Sequence, residues 1–76
     1  MNEIRVNQVL SLLIKLNEMS MADFGHEYAD FDLSGGVLFV DARTRPNRIA
    51  IETLLQSFMH LTVYVIGNTK MEIMFS

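Results

Sequence analysis

Seventy-six residues, six of them basic and nine acidic, carry a formal net charge of −3; they make one domain and argue against general nucleic-acid binding, which needs phosphate neutralisation. The chain has no cysteine, which excludes disulfides and thiolate metal sites and fits a reducing compartment. Half of the residues are apolar and mean hydropathy is +0.24, yet a chain this short buries only about 60% of the surface its unfolded form exposes, so another chain is expected to cover part of the apolar surface.

Residues 3–19, EIRVNQVLSLLIKLNEM, predict an amphipathic helix. Val6, Val9, Leu10, Leu13 and Leu16 recur at the three-and-four spacing of one face, and Leu12, Ile14 and Met19 widen it. Asn7, Ser11, Lys15 and Glu18 mark the wet side. An apolar arc this broad predicts packing against more than one layer. No stretch approaches the ~18 apolar residues of a membrane span. The start lacks the basic residues, unbroken apolar block and cleavage site of a secretory signal. A soluble, cytoplasmic protein with no membrane contact is expected.

Residues 20–27, SMADFGHE, read as a loop punctuated by Gly25. The next fifteen, YADFDLSGGVLFVDA, predict a hairpin about Gly35-Gly36, a pair that accepts the positive φ of primed turns. A two-residue turn sets Leu33 opposite Leu38, Phe31 opposite Val40 and Ala29 opposite Ala42, a wholly apolar face. A three-residue turn would oppose Asp32 to Leu38. Because a one-residue slip inverts every side chain, the first register is expected, with Phe31, Leu33, Leu38 and Val40 buried.

A second helix is predicted from about Pro46 to Met59, preceded by Thr44 or Arg45, since proline suits a first helical turn. Ile51, Leu54, Leu55 and Phe58 form its core stripe; Glu52, Thr53, Gln56 and His60 lie opposite. The final run, LTVYVIGNTKMEIMFS, predicts a second hairpin turning near Gly67-Asn68-Thr69. A two-residue turn there groups Thr62, Tyr64 and Ile66 with Met71, Ile73 and Phe75, leaving Val63, Val65, Glu72 and Met74 on the other face. Neither face is fully polar, a second sign that part of the sheet is covered.

The order αββαββ predicts an α+β two-layer sandwich, one domain over 1–76, with two helices packed on one face of a four-stranded, mainly antiparallel sheet. The stretch between the second and third strands has room for a helical crossover, expected to be right-handed.

Residues that carry chemistry are sparse. No nucleophile elbow or phosphate loop is present, and His26 and His60 are isolated in sequence, so no enzyme and no cofactor are expected. Between Lys15 and Arg43 there is no basic residue, while Glu18, Asp23, Glu27, Asp30, Asp32 and Asp41 fall in that span. The favoured register sets Asp30 opposite Asp41, with Asp32 diagonal to it and Tyr28, Val37 and Phe39 on the same outer face. Opposed like charges destabilise a strand pair, so something should offset them. Strand carboxylates without a dedicated loop make a poor metal cage, and no metal is expected. Solvent with local arginine, or a basic partner surface, remain. Tyr28, Asp30, Asp32, Phe39 and Asp41 are therefore the candidate partner-binding residues.

Arg43, Arg45 and Arg48, half of all the basic residues, gather where the second helix begins, against the helix dipole. Arg43 is expected to pair with Asp30 and Asp41. Arg45 and Arg48 are candidate anion ligands, because free N–H groups and guanidinium forks suit phosphate or carboxylate. The leading expectation is a non-enzymatic interaction protein whose acidic, aromatic face occupies a basic, nucleic-acid-binding surface of another protein, as small phage or mobile-element inhibitors do. The alternatives are an oligomeric anion or nucleotide binder using the three arginines, and a structural assembly subunit. Self-association, most simply as a homodimer, is expected, with Tyr64, Val65 and Met74 as candidate contacts.

Overall fold

The computed structural model describes residues 2–75. Helix α1 (Glu3–Phe24) is followed by β1 (Ala29–Ser34) and β2 (Val37–Ala42). Helix α2 (Arg45–Thr53) runs on into a π-helical turn (Leu54–Phe58), and β3 (Thr62–Ile66) and β4 (Lys70–Met74) complete the fold. The strands form one antiparallel sheet in the order β1-β2-β4-β3. The last strand thus inserts between β2 and β3, and the α2 crossover passes over it.

One core lies between helices and sheet. Val9 and Leu13 of α1, Ile51 and Leu55 around α2, and Leu38, Val40, Met71 and Ile73 from the central strands are almost wholly buried. Each such aliphatic side chain contributes about 1.5–3 kcal/mol by leaving water. The Cα radius of gyration is 11.6 Å, close to the roughly 11 Å of any folded chain this size. The exposed apolar residues are therefore a surplus on a tightly packed body.

Helix α1 is five residues longer than its periodicity predicts. Asn2 caps it, its side chain accepting from the Arg5 N–H, and Gly25 ends it at φ 76° with its N–H on the Met21 carbonyl. Ser20, which looks like the start of a loop, is instead buried within the helix. Inside the apolar arc sits Asn17. Its Oδ1 accepts from the Tyr28 and Ala29 N–H groups at 2.8 and 2.9 Å, and its Nδ2 donates to the Ala29 carbonyl at 2.8 Å. The entrance of β1 is thereby fixed to the helix. The Tyr28 carbonyl accepts from Asn47 Nδ2 and the Arg43 N–H, joining the same point to α2.

The first hairpin has the register expected from Gly35-Gly36. Leu38 and Val40 are buried, whereas Phe31 and Leu33 are only half-buried, because β1 is an edge strand. The second hairpin departs from expectation. Its turn holds three residues, Gly67–Thr69, and sets Ile66 opposite Lys70, Val65 opposite Met71 and Tyr64 opposite Glu72. Val63 and Val65 join the core side, while Thr62, Tyr64 and Ile66 face outward. Contacts from outside the hairpin hold this turn: Arg48 Nε donates to the Asn68 carbonyl at 3.0 Å and the Ala42 N–H to Thr69 O at 2.8 Å.

Thr44 caps α2, its hydroxyl accepting from the Asn47 N–H. Ile51 and Leu55 are buried as the stripe requires and Leu54 is half-buried, but Phe58 is 75% exposed. The π turn holds more residues per revolution, so Phe58 lags behind the face that Ile51 and Leu55 share. Arg5 of α1 donates to the Met59 carbonyl, placing a cation at the negative end of this helical segment.

Asn17→Ala is expected to lower stability by about 1–3 kcal/mol, since backbone groups at the start of β1 lose their partner. Asn7→Ala on the exposed side should stay within about 0.5 kcal/mol. Urea unfolding of the two variants checks this, and equal midpoints would contradict it.

Candidate functional site

The two registers together order the outer face of the sheet into rows across the strands. One row reads Asp32, Phe39, Glu72, Tyr64; the next reads Asp30, Asp41, Lys70, Ile66. A third, Ser34, Val37, Met74, Thr62, carries no charge. The like-charged pair Asp30 and Asp41 is thus real, and the cation beside it is Lys70 of β4, opposite Asp41 and in the other hairpin. Strand order brings it there.

The charge balance of this face is decisive. It holds four acids, Asp30, Asp32, Asp41 and Glu72, and one base, Lys70, a formal balance of −3. The remaining five acidic and five basic residues cancel, so the entire net charge of the chain stands on one side of the sheet. Phe39 and Tyr64 flank Glu72 there, 43% and 56% exposed. A shallow groove of about 400 Å³ runs over this face, bordered by Asp32, Phe39, Asp41, Ile66 and Lys70. Among the described residues no cluster of three or more His, Asp or Glu side chains has the arrangement of a metal site.

Of the candidate partner-binding residues, Asp30, Asp32, Phe39 and Asp41 share this surface. Tyr28 departs from the expectation. It precedes β1 and is half-buried against the core, and burial raises its phenol above the usual value. Its part is in the junction of α1, β1 and α2.

The three arginines do not form one cluster. Arg48 is buried, its Nε bound to the Asn68 carbonyl and its Nη1 paired with Glu52 one helical turn on. This corrects its expected availability to an anion: helix phase turns it inward onto the β3–β4 turn. Arg45 is exposed, and the N–H of Asn47 near it is already taken by Thr44. Arg43 is exposed and shares a cleft with His26, Glu27, Asp30 and Asp41, yet the only ion pair within 4 Å among the described residues is Arg48–Glu52. In that cleft Glu27 lies beside Asp30. A shared hydrogen bond first, then the Asp30 charge, raises the Glu27 carboxyl above its ordinary value.

The proposed contact residues Tyr64, Val65 and Met74 are divided between two faces. Tyr64 and Met74 stand on the outer face, Met74 half-buried; Val65 lies on the core side at the sheet edge, 42% exposed. Asn17 and Lys70 are the residues of this region that sequence periodicity alone passes over.

Arg48→Ala is expected to cost about 1.5–3 kcal/mol, because its hydrogen bonds are charge-assisted and inward; Arg45→Ala should stay within about 0.5 kcal/mol. Thermal unfolding of both variants is the check, and the reverse order would contradict the assignment. Glu27 should hold its proton to higher pH than an ordinary glutamate in a carbon-detected NMR titration, and Asp30→Asn should lower its midpoint. A group that binds its proton more tightly when folded supports the fold at low pH and loses that support as pH rises through the raised value. An unchanged Glu27 midpoint in the Asp30 variant would refute the coupling.

Compared with known proteins, the chain matches no family model, no curated protein and no solved structure.

Proposed function

We propose that the protein is a small, non-enzymatic, cytoplasmic interaction module whose outer sheet face docks on a basic groove of another protein and excludes the nucleic acid that the groove would hold. The observation that carries this reading is the charge partition: a formal −3 on the outer sheet face, with charge balance elsewhere. Asp30, Asp32, Asp41 and Glu72 supply the carboxylates that guanidinium and ammonium groups seek. Phe39 and Tyr64 give flat surfaces on which arginine stacks. Complementary charge of this kind accelerates encounter and selects partners more than it adds affinity. Keeping Asp30 against Asp41 costs stability in the free protein, and a basic partner would relieve that cost on binding.

The anion- or nucleotide-binding alternative has less support, since of its three arginines Arg48 is already engaged and only Arg43 and Arg45 are without an ion pair among the described residues. A purely structural subunit would not need acids opposed on one face.

Capture from the native host tests the reading with two baits, the wild-type chain and the Asp30→Asn, Asp32→Asn, Asp41→Asn triple variant. The expected result is a basic protein held by the first bait alone, released by salt as the charges are screened and displaced by nucleic acid. Equal capture by both baits, or binding that resists salt and nucleic acid, would contradict it.

A further inference from the structure

The two edges of the sheet differ. At one edge β1 carries Asp30 and Asp32; at the other β3, Thr62–Ile66, has no charged residue and no proline. Edge strands are ordinarily blunted by charge, proline or a bulge, because their free backbone groups template further pairing. On β3 three consecutive large side chains, Tyr64, Val65 and Ile66, are 56%, 42% and 47% exposed.

Symmetry tests each edge against a second copy. Antiparallel pairing puts same-face residues opposite each other. For β1, the face-matched registers that pair most of the strand bring acid against acid: Asp30 meets Asp32 when Phe31 meets its own copy, and, one register on, Asp32 meets its own copy. Registers that avoid this set an aspartate opposite Phe31 or Leu33. For β3, a two-fold axis through Tyr64 pairs all five residues: Tyr64 with Tyr64, Val63 with Val65 and Thr62 with Ile66. Every pair is uncharged and face-matched. The nearest acids also permit it. Glu72 lies one strand inside the edge, so it and its copy would be three strand spacings apart, about 14 Å, beyond the roughly 8–10 Å Debye length of physiological salt.

We infer that β3 is a self-association edge: two chains pair antiparallel about a two-fold axis through Tyr64 and form one continuous eight-stranded sheet. Both helical layers then lie on the same side, and the two acidic faces form a single outer surface divided by a seam of Tyr64 and Ile66. The inference stands independently of what that surface binds.

Sedimentation velocity at micromolar concentration tests it with the intact chain. Wild type is expected at twice 8.7 kDa. Val65→Lys, which places a charge on the paired edge, should weaken the dimer at least tenfold while leaving the far-ultraviolet circular dichroism unchanged. Asp32→Lys on the other edge should leave the dimer intact. A readout that does not depend on the folding of the lysine variant is Tyr64→Cys: in a chain without cysteine it should oxidise readily to a linked dimer, whereas Ile4→Cys should not. A wild-type monomer overturns the inference, as does a dimer that survives Val65→Lys and does not cross-link at residue 64. A dimer broken by Asp32→Lys instead would also overturn it, moving the contact to β1.

Discussion

The amide of Asn17 is the contact on which the surface of this protein depends. By taking two N–H groups and one carbonyl at the start of β1, it sets the phase in which that strand enters the sheet. Phase in a strand is all-or-none, since a slip of one residue exchanges the two faces. With Ala29 held against α1, Phe31 and Leu33 turn toward the helices, and Asp30 and Asp32 must turn away. Alternation of acidic and apolar residues favours that phase, and the Asn17 amide on the buried arc of α1 holds the strand in it at one point.

Arg48 does for the second hairpin what Asn17 does for the first. Its hold on the Asn68 carbonyl, with the Ala42 N–H on Thr69, maintains a three-residue turn and therefore the outward placing of Tyr64 and Ile66 beside Glu72 and Lys70. One side chain from each helix thus fixes the outer face that neither helix touches. The cation that sequence proximity places on an anion site is spent on this internal duty, and the charge that remains unbalanced is negative and on the sheet.

What could be read from the residues depended on whether the deciding contacts were local. Gly35-Gly36 sits between strands whose apolar and acidic residues alternate, so only one register keeps the acids out of the core, and the pairing of Phe31 with Val40 follows. Around Gly67 both candidate faces are apolar, Val63 and Val65 against Tyr64 and Ile66, so alternation is uninformative and distant hydrogen bonds decide. The exposed position of Phe58 follows from a π turn that helical periodicity does not encode. Lys70 was out of reach for another reason: it meets Asp41 only because β4 inserts between β2 and β3. Asn17 did leave a trace, as an amide four residues after Leu13 on the apolar arc. Gly25, read as loop punctuation, is the residue that stops α1.

The outer sheet face carries the whole formal net charge, and the charges of the rest of the molecule sum to zero. Paramagnetic relaxation of amide protons by a cationic nitroxide, referenced to a neutral analogue of the same size, reports the local potential residue by residue. The largest excess is expected at residues 30–32, 39–41 and 72, with the helix amides near parity. An excess spread evenly over helices and sheet, or one centred on α1, would contradict it.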